Sequence, residues 1–135
     1  MCGPPPALDL DAERAAHELV LAAAEAGLLR SAHDVAEGGL LVALAECCLL
    51  GGRGVRGGAL PVDRGRVDAA LFGESQGRFV VSASPDSIPA LGRLASDHGV
   101  ELALLGLTGG DRVAFEGQVD VPLAELRKAW EEALL

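Results

Sequence analysis

Residues 31–46 read SAHDVAEGGLLVALAE, and the organisation of the chain follows from this stretch. It opens as a short apolar strand that runs into His33 and Asp34. Gly38 and Gly39 then turn the backbone. Beyond them Leu40, Leu41, Leu44 and Leu49 return at helical spacing along one side. A strand, a glycine turn and a helix in that order have two uses. Glycine adopts backbone angles closed to other residues and lets the chain pass close to a neighbour. The first N–H groups of a helix have no partner inside it and point outward, where an anion can meet them. The same glycines also suit an ordinary connection that packs tightly, and spacing alone supports either use.

On the N-terminal side, Asp9 or Asp11 can cap a helix running to about Leu29. Its apolar positions Ala15, Ala16, Leu19, Val20, Ala23 and Ala26 keep helical period, and Gly27 marks the approach to its end. His17, near its middle, reads as a partly exposed helical histidine. Residues 1–8, with Pro4-Pro5-Pro6, read as a linker remnant, and residues 9–135 as one domain.

On the C-terminal side, the central helix closes at Gly51-Gly52. GVRGGALPV (54–62) reads as a strand broken by glycines, and residues 63–71 as a short helix. LFGESQGR (71–78) leads into the strand FVVSAS (79–84). Asp86 or Ser87 caps a further helix ending near Gly99. ELALLGLT (101–108) reads as a strand, Gly109-Gly110-Asp111 as a hairpin turn, and RVAFE (112–116) as its partner. A short extended piece at 119–121 follows, and Pro122 starts the last helix, with Leu123, Leu126, Ala129 and Trp130 on one face. Helices and strands interleave, yet one pair is a hairpin. The predicted class is therefore α+β: a mixed β-sheet flanked by helices in layers.

Composition bounds the function. The chain has 135 residues, half of them apolar, and only three Phe, one Trp and no Tyr, so the core is built from Leu, Val and Ala. A net charge of −9 argues against a general nucleic-acid or anionic-membrane surface, since phosphate backbones demand Lys and Arg. The longest apolar run, 40–50, is too short to span a bilayer and contains Glu46. The N-terminus lacks the basic and apolar regions of a signal peptide. Cys2, Cys47 and Cys48 match neither a disulfide framework nor a metal-ligand spacing, and a reducing cytoplasm suits them. No metal site and no catalytic residue is read from the chain.

Two groups of residues can carry chemistry. In the first, Asp34 can hold a metal ion beside a phosphate or cap the next helix, and His33 can act as acid or base near neutral pH or sit satisfied at a sheet edge. The second is Glu74, Ser75, Gln76, Gly77 and Arg78, which offers a carboxylate, a hydroxyl, an amide and a guanidinium in one loop. Arg78 suits a forked pair with phosphate or with Glu74, and a solvated loop with one salt bridge suits the residues equally. The chain has no GxxxxGK[ST], no HExxH and no GxSxG, and Cys47 and Cys48 read as core residues.

AHDVAEGGLLVALAE followed about forty residues later by LFGESQGRFVVS resembles the C-terminal domains of the aminoimidazole ribonucleotide synthetase superfamily. Within it the chain looks most like the phosphoribosylformylglycinamidine synthase family, synthetase subunit, second copy. The resemblance covers nearly the whole chain. It implies the aminoimidazole ribonucleotide synthetase C-terminal-domain-like fold and a part in purine biosynthesis. In that reaction ATP activates the amide oxygen of formylglycinamide ribonucleotide, and ammonia from glutamine displaces phosphate to give the amidine. It further implies that His33, Asp34, Gly38, Gly39, Glu74, Ser75, Gln76 and Arg78 help hold substrate or nucleotide. ATP or ADP and Mg2+ would be the ligands of the full enzyme. Its N-terminal synthetase domains, a glutaminase and small accessory subunits would be the partners, with no nucleic acid and no membrane involved. Since the family's ATP and metal residues lie largely in those N-terminal domains, the isolated chain is expected to be inactive. A purely structural module of that enzyme, or a C-terminal domain of a relative such as a hydrogenase-maturation protein or a thiamine-phosphate kinase, is the alternative.

Overall fold

Asp9 stands just ahead of the first helix, and its Oδ1 accepts from the backbone N–H groups of Asp11 and Ala12 at 3.1 and 3.0 Å. This satisfies two of the donors a helix start leaves over. A computed structural model of the chain describes residues 8–61 and 66–133. In chain order the elements are α1 (Leu10–Glu25), β1 (Ser31–Asp34), α2 (Gly39–Gly51), β2 (Val55–Gly57), α3 (Val67–Phe72), β3 (Phe79–Ser82), α4 (Ile88–Asp97), β4 (Leu107–Thr108), β5 (Arg112–Phe115), β6 (Val119–Pro122) and α5 (Leu123–Ala133). None of these helices is long and apolar enough to cross a membrane.

The described residues form two compact units, each assembled from two separate stretches. One comprises those up to Glu37 with Glu74–Ala103, the other Gly38–Gly73 with those from Leu104 on. In the first unit, β1 and β3 pair antiparallel in the register Ser31↔Ser82 through Asp34↔Phe79. Ser31 and Ser82 close the far end of the ladder with a 2.6 Å hydroxyl contact. Helices α1 and α4 pack together, and the buried residues Ala16, Leu19 and Ala23 of α1 and Leu91 and Ala95 of α4 are mostly small. Both helices end alike. Gly27 and Gly99 take φ of +68° and +66°. The next residues, Leu28 and Val100, donate back to Ala23 and Ala95 at 3.0 and 2.9 Å, a glycine-terminated cap that satisfies the last carbonyls.

In the second unit the sheet order is β4-β2-β5-β6, with β2 and β5 parallel and the other neighbours antiparallel. Its buried residues are Ala43, Leu44 and Cys48 of α2 with Val55, Leu60, Leu71, Val113 and Phe115. Leu60 is joined to Gln118 in both directions: its N–H donates to Oε1 at 2.6 Å, and Nε2 donates to its carbonyl at 3.1 Å. One side-chain amide thus continues the ladder past the end of β2. Arg127 of α5 donates to the Leu49 carbonyl in the last turn of α2 at 3.1 Å, where a cation also suits the helix dipole.

The structure corrects several expectations. The class is α+β, but the strands divide between a two-stranded and a four-stranded sheet. The first helix stops at Glu25 rather than about Leu29 because Gly27 leaves the helical region. The predicted hairpin between 101–108 and 112–116 does not form, since β2 lies between β4 and β5. The turn bonds to β2's approach instead of across itself: Gly109 N–H donates to the Gly54 carbonyl at 2.8 Å, and Gly54 N–H to the Gly110 carbonyl at 2.9 Å. Side chains would block this approach, for a Cβ on Gly54 would lie 2.1 Å from the Arg112 carbonyl oxygen. The true hairpin is one connection later, β5 to β6, with Pro122 ending a strand rather than starting the helix. Among the described residues, only Leu107–Thr108 of 101–108 and Val55–Gly57 of 54–62 are strand. The linker expected at 1–8 lies outside the described residues but for Leu8, as do 62–65, which include the start of the short helix expected at 63–71.

Burial pushes the Cys48 thiol up to about 11, with the neighbouring Cys47 adding to it, and burial and then Glu46 raise Cys47. A thiol held above its ordinary value of 9.0 favours the folded chain fully below that pH. The contribution is lost as pH rises through 9 toward 11, where only the unfolded thiol ionises. The melting temperature is therefore expected to fall between pH 8.5 and 10.5 more steeply in the native sequence than in Cys48→Ala. Equal slopes in the two proteins would refute this origin.

Candidate functional site

The end of β1 brings the two polar groups of the sequence together. Asp34 pairs with Phe79, and the ladder continues one residue further, with Val35 N–H donating to the Arg78 carbonyl at 2.9 Å. Residues 33–37 and 74–79 therefore run side by side in the first unit. With Ala32 they line an open cleft of about 790 Å³ whose remaining wall is Glu13, His17 and Val20 of α1. Its size falls within the range of small-molecule sites.

Six of the eight residues expected from sequence line this cleft: His33, Asp34, Glu74, Ser75, Gln76 and Arg78. Alternation along β1 separates the first two. Asp34 shares a sheet face with its partner Phe79, and His33 shares the other with Val80. His33 Nδ1 lies 2.6 Å from the Asp34 carbonyl oxygen. A carbonyl only accepts, so Nδ1 carries the proton, and in the neutral ring Nε2 is the acceptor nitrogen. The Asp34 carboxylate is well exposed. Arg78 Nε donates to the Ser75 carbonyl at 3.3 Å, closing the 75–78 turn on itself. Partial burial draws the Arg78 guanidinium below its ordinary value, yet at neutral pH it stays a cation. Gly77 sits at φ +71°, and a Cβ there would stand 3.4 Å from Glu13 Cα. The loop crosses the first turn of α1 as closely as a side chain would.

Gly38 and Gly39 belong to the second unit, and their geometry is one of packing. Gly39 has φ +74°, and a Cβ on it would fall 2.6 Å from the Phe72 carbonyl carbon. Gly38 has φ +80°, with its Cβ position 2.6 Å from Val42 Cγ2. Both uses open at the sequence level, an anion turn and a tight connection, require glycine here, and the second is visible.

Sequence reading missed the α1 wall. Glu13, His17 and Val20 follow i, i+4, i+7 spacing beside the buried stripe of Ala16, Leu19 and Ala23. Such a second stripe, polar at one end and apolar at the other, is the available signal. The His17 ring meets Phe79 edge to face, 5.0 Å between centroids at 87°, and its Nε2 is 3.9 Å from Glu13 Oε1. The lining carries four carboxylates, Glu13, Asp34, Glu37 and Glu74, against the single guanidinium of Arg78. Among the described residues no three His, Cys, Asp or Glu side chains are grouped to hold a metal ion.

Comparison with known proteins shows the family of the chain. Residues 4–117 match the family model described as AIR synthase related protein, C-terminal domain. The chain is 44% identical, over 143 aligned residues, to the phosphoribosylformylglycinamidine synthase subunit PurL of Anaeromyxobacter sp. (strain Fw109-5), covering 98% of this chain and 18% of that protein. It resembles T. maritima PurL complexed with FGAR at a TM-score of 0.77 and 26% identity, over 90% of this chain and 22% of that one. The likeness to T. maritima PurL complexed with ATP has a TM-score of 0.76 at 26% identity, over 88% and 22%. The chain thus spans about a fifth of the length of the curated relatives it matches.

Proposed function

This chain belongs to the AIR synthase related protein C-terminal domain family, and on that premise we propose that it is the C-terminal part of a phosphoribosylformylglycinamidine synthase. In this reading it supplies one wall of a nucleotide or phosphate site to an ATP-dependent carbon–nitrogen ligase of purine biosynthesis. The observation that carries the proposal is the meeting of His33 and Asp34 with the loop of Glu74, Ser75, Gln76 and Arg78 in one cleft. The rest of the synthase, including its N-terminal synthetase domains, glutaminase and small accessory subunits, would be its partners, and the cytoplasm its location.

The roles follow from the donor set. Arg78 is the one guanidinium lining the cleft, and a planar fork matches two phosphate oxygens. Ser75 and Gln76 offer neutral hydrogen bonds. A nucleotide fits this set of residues. A resident Mg2+ does not, because among the described residues no group of carboxylates is arranged to cage it. Magnesium characteristically keeps its waters and the phosphates it accompanies, so in this reading it arrives with the nucleotide. The four lining carboxylates favour that order, since they oppose a bare polyanion.

Calorimetric titration with ADP and magnesium tests the proposal. Binding in the millimolar range or tighter is expected, weakened about tenfold or more in Arg78→Ala, the measure of a charge-assisted contact removed. Absent binding, or binding indifferent to Arg78→Ala, overturns the reading that this cleft carries the phosphate contact.

A further inference from the structure

The cleft is chemically two-ended. Arg78 gives one part of it a cation, while the α1 wall carries a carboxylate, an imidazole and an aliphatic side chain in Glu13, His17 and Val20. Anions are unwelcome along that wall. A flat ring bearing N–H groups is not, because a carboxylate accepts from an amine and ring faces and aliphatic carbons attract a π-system.

The aromatic pair is the more telling observation. The whole chain has three Phe, one Trp and no Tyr. Phe115 is buried at 1% exposure, so few aromatic side chains remain for any surface. One of them, Phe79, lines the cleft and is met edge to face by His17. Two rings held at 87° form a corner. The side chain of His17 is 61% exposed, so its ring is not core packing. The pair is fixed from below, since Phe79 is locked in the β1–β3 ladder opposite Asp34.

We propose that the corner formed by His17 and Phe79, with the Glu13 carboxylate beside it, is a subsite for the planar heteroaromatic base of a nucleotide whose phosphate end lies toward Arg78. The inference rests on the nucleotide reading above and adds the part of the ligand that reading leaves unassigned. His17 supplies a stacking face, and Glu13 accepts from an exocyclic amine, so an aminopurine is favoured over a ring that carries only carbonyl oxygens.

The test separates the two ends of the ligand. The full chain is titrated with ADP, with ribose 5-phosphate and with adenosine, each with magnesium present, in the native sequence, His17→Ala and His17→Phe. Base–aromatic contacts of this kind predict about a tenfold loss of ADP affinity in His17→Ala, restored by His17→Phe, with ribose 5-phosphate unchanged within twofold. Unchanged ADP affinity in His17→Ala overturns the proposal. So does an equal loss for ADP and ribose 5-phosphate, which would mean that His17 serves the phosphate end or the fold. If neither phosphate ligand binds the native chain, the nucleotide reading itself falls, and adenosine decides the subsite. Shifts of the His17 and Phe79 ring proton resonances at millimolar adenosine keep it, and their absence overturns it.

Discussion

Gly39→Ala is expected to cost about 3–5 kcal/mol of stability, combining a non-glycine residue at positive φ with overpacking against immovable atoms. The new Cβ would lie 2.6 and 2.7 Å from the Phe72 carbonyl carbon and Cα and 2.9 Å from the Gly73 carbonyl oxygen. All three are backbone atoms, so no side chain can swing aside, and the φ of +74° adds strain of its own. The same helix provides its control. A Cβ at Gly51, at the other end of α2, meets nothing within 4 Å, and its φ is not positive. Gly51→Ala is therefore expected to be neutral or to stabilise by about 0.5–1 kcal/mol through the unfolded chain. Urea unfolding of the three proteins, followed by far-UV circular dichroism, measures the contrast. A Gly39→Ala protein within 0.5 kcal/mol of the native one would show that the close approach of α2 to α3 is not maintained.

Phe115→Ala is the second large effect, about 3–5 kcal/mol, the usual cost of emptying a buried phenyl site. Phe115 is 1% exposed, and on β5 it alternates with the exposed Arg112 and the half-buried Ala114. Its partners across the sheet are Gly57 and Val119. Gly57 makes the room, since a Cβ there would come 3.1 Å from Phe115 Cε1 and 2.0 Å from the Leu105 carbonyl oxygen. The backbone on either side is ladder-bonded, so the cavity cannot collapse freely. Phe72→Ala is the comparison: that ring is 53% exposed, and its loss is expected to cost about 1 kcal/mol, in proportion to the apolar area it hides. Thermal unfolding separates the two, because several kcal/mol lowers the midpoint of a domain this size by about 10 °C or more. Equal midpoints for the two variants would refute the assignment of Phe115 to the core.

Much of this was legible in the sequence. The capping aspartate Asp9, the terminating Gly27 and Gly99, and the period of the apolar residues in α1 are local features, whereas of the expected α2 stripe only Leu44 is buried, beside Ala43 and Cys48. Local rules of hydrogen bonding and helical spacing read them without reference to the rest of the chain. The polar residues of the cleft were legible for a related reason: charged and amide side chains crowded between two apolar segments stand out in any such run. What those residues hold was not legible, because Arg78 suits a phosphate and the Glu74 carboxylate equally well.

Strand partnership was read less well. Gly109-Gly110 carries the composition of a hairpin turn, yet its hydrogen bonds go to Gly54, more than fifty residues earlier. A turn residue's chemistry specifies that the chain reverses, and only the sheet decides which strand fills the gap it leaves. His17 was passed over likewise. Its spacing from Glu13 and Val20 is visible, but its worth depends on Phe79, sixty-two positions away and brought to it by the β1–β3 ladder.

From the sequence came the presence of each helix, with its ends placed to within a few residues, the α+β class, and the polar residues that stand ready for a ligand, because caps, apolar spacing and side-chain chemistry are local. Tertiary structure alone decided the order β4-β2-β5-β6, the packing demand on Gly39, and the cleft that joins α1 to the loop at Arg78. Those features depend on backbones that approach across long sequence separations, where the absence of a side chain at Gly39, Gly54 and Gly57 determines what fits.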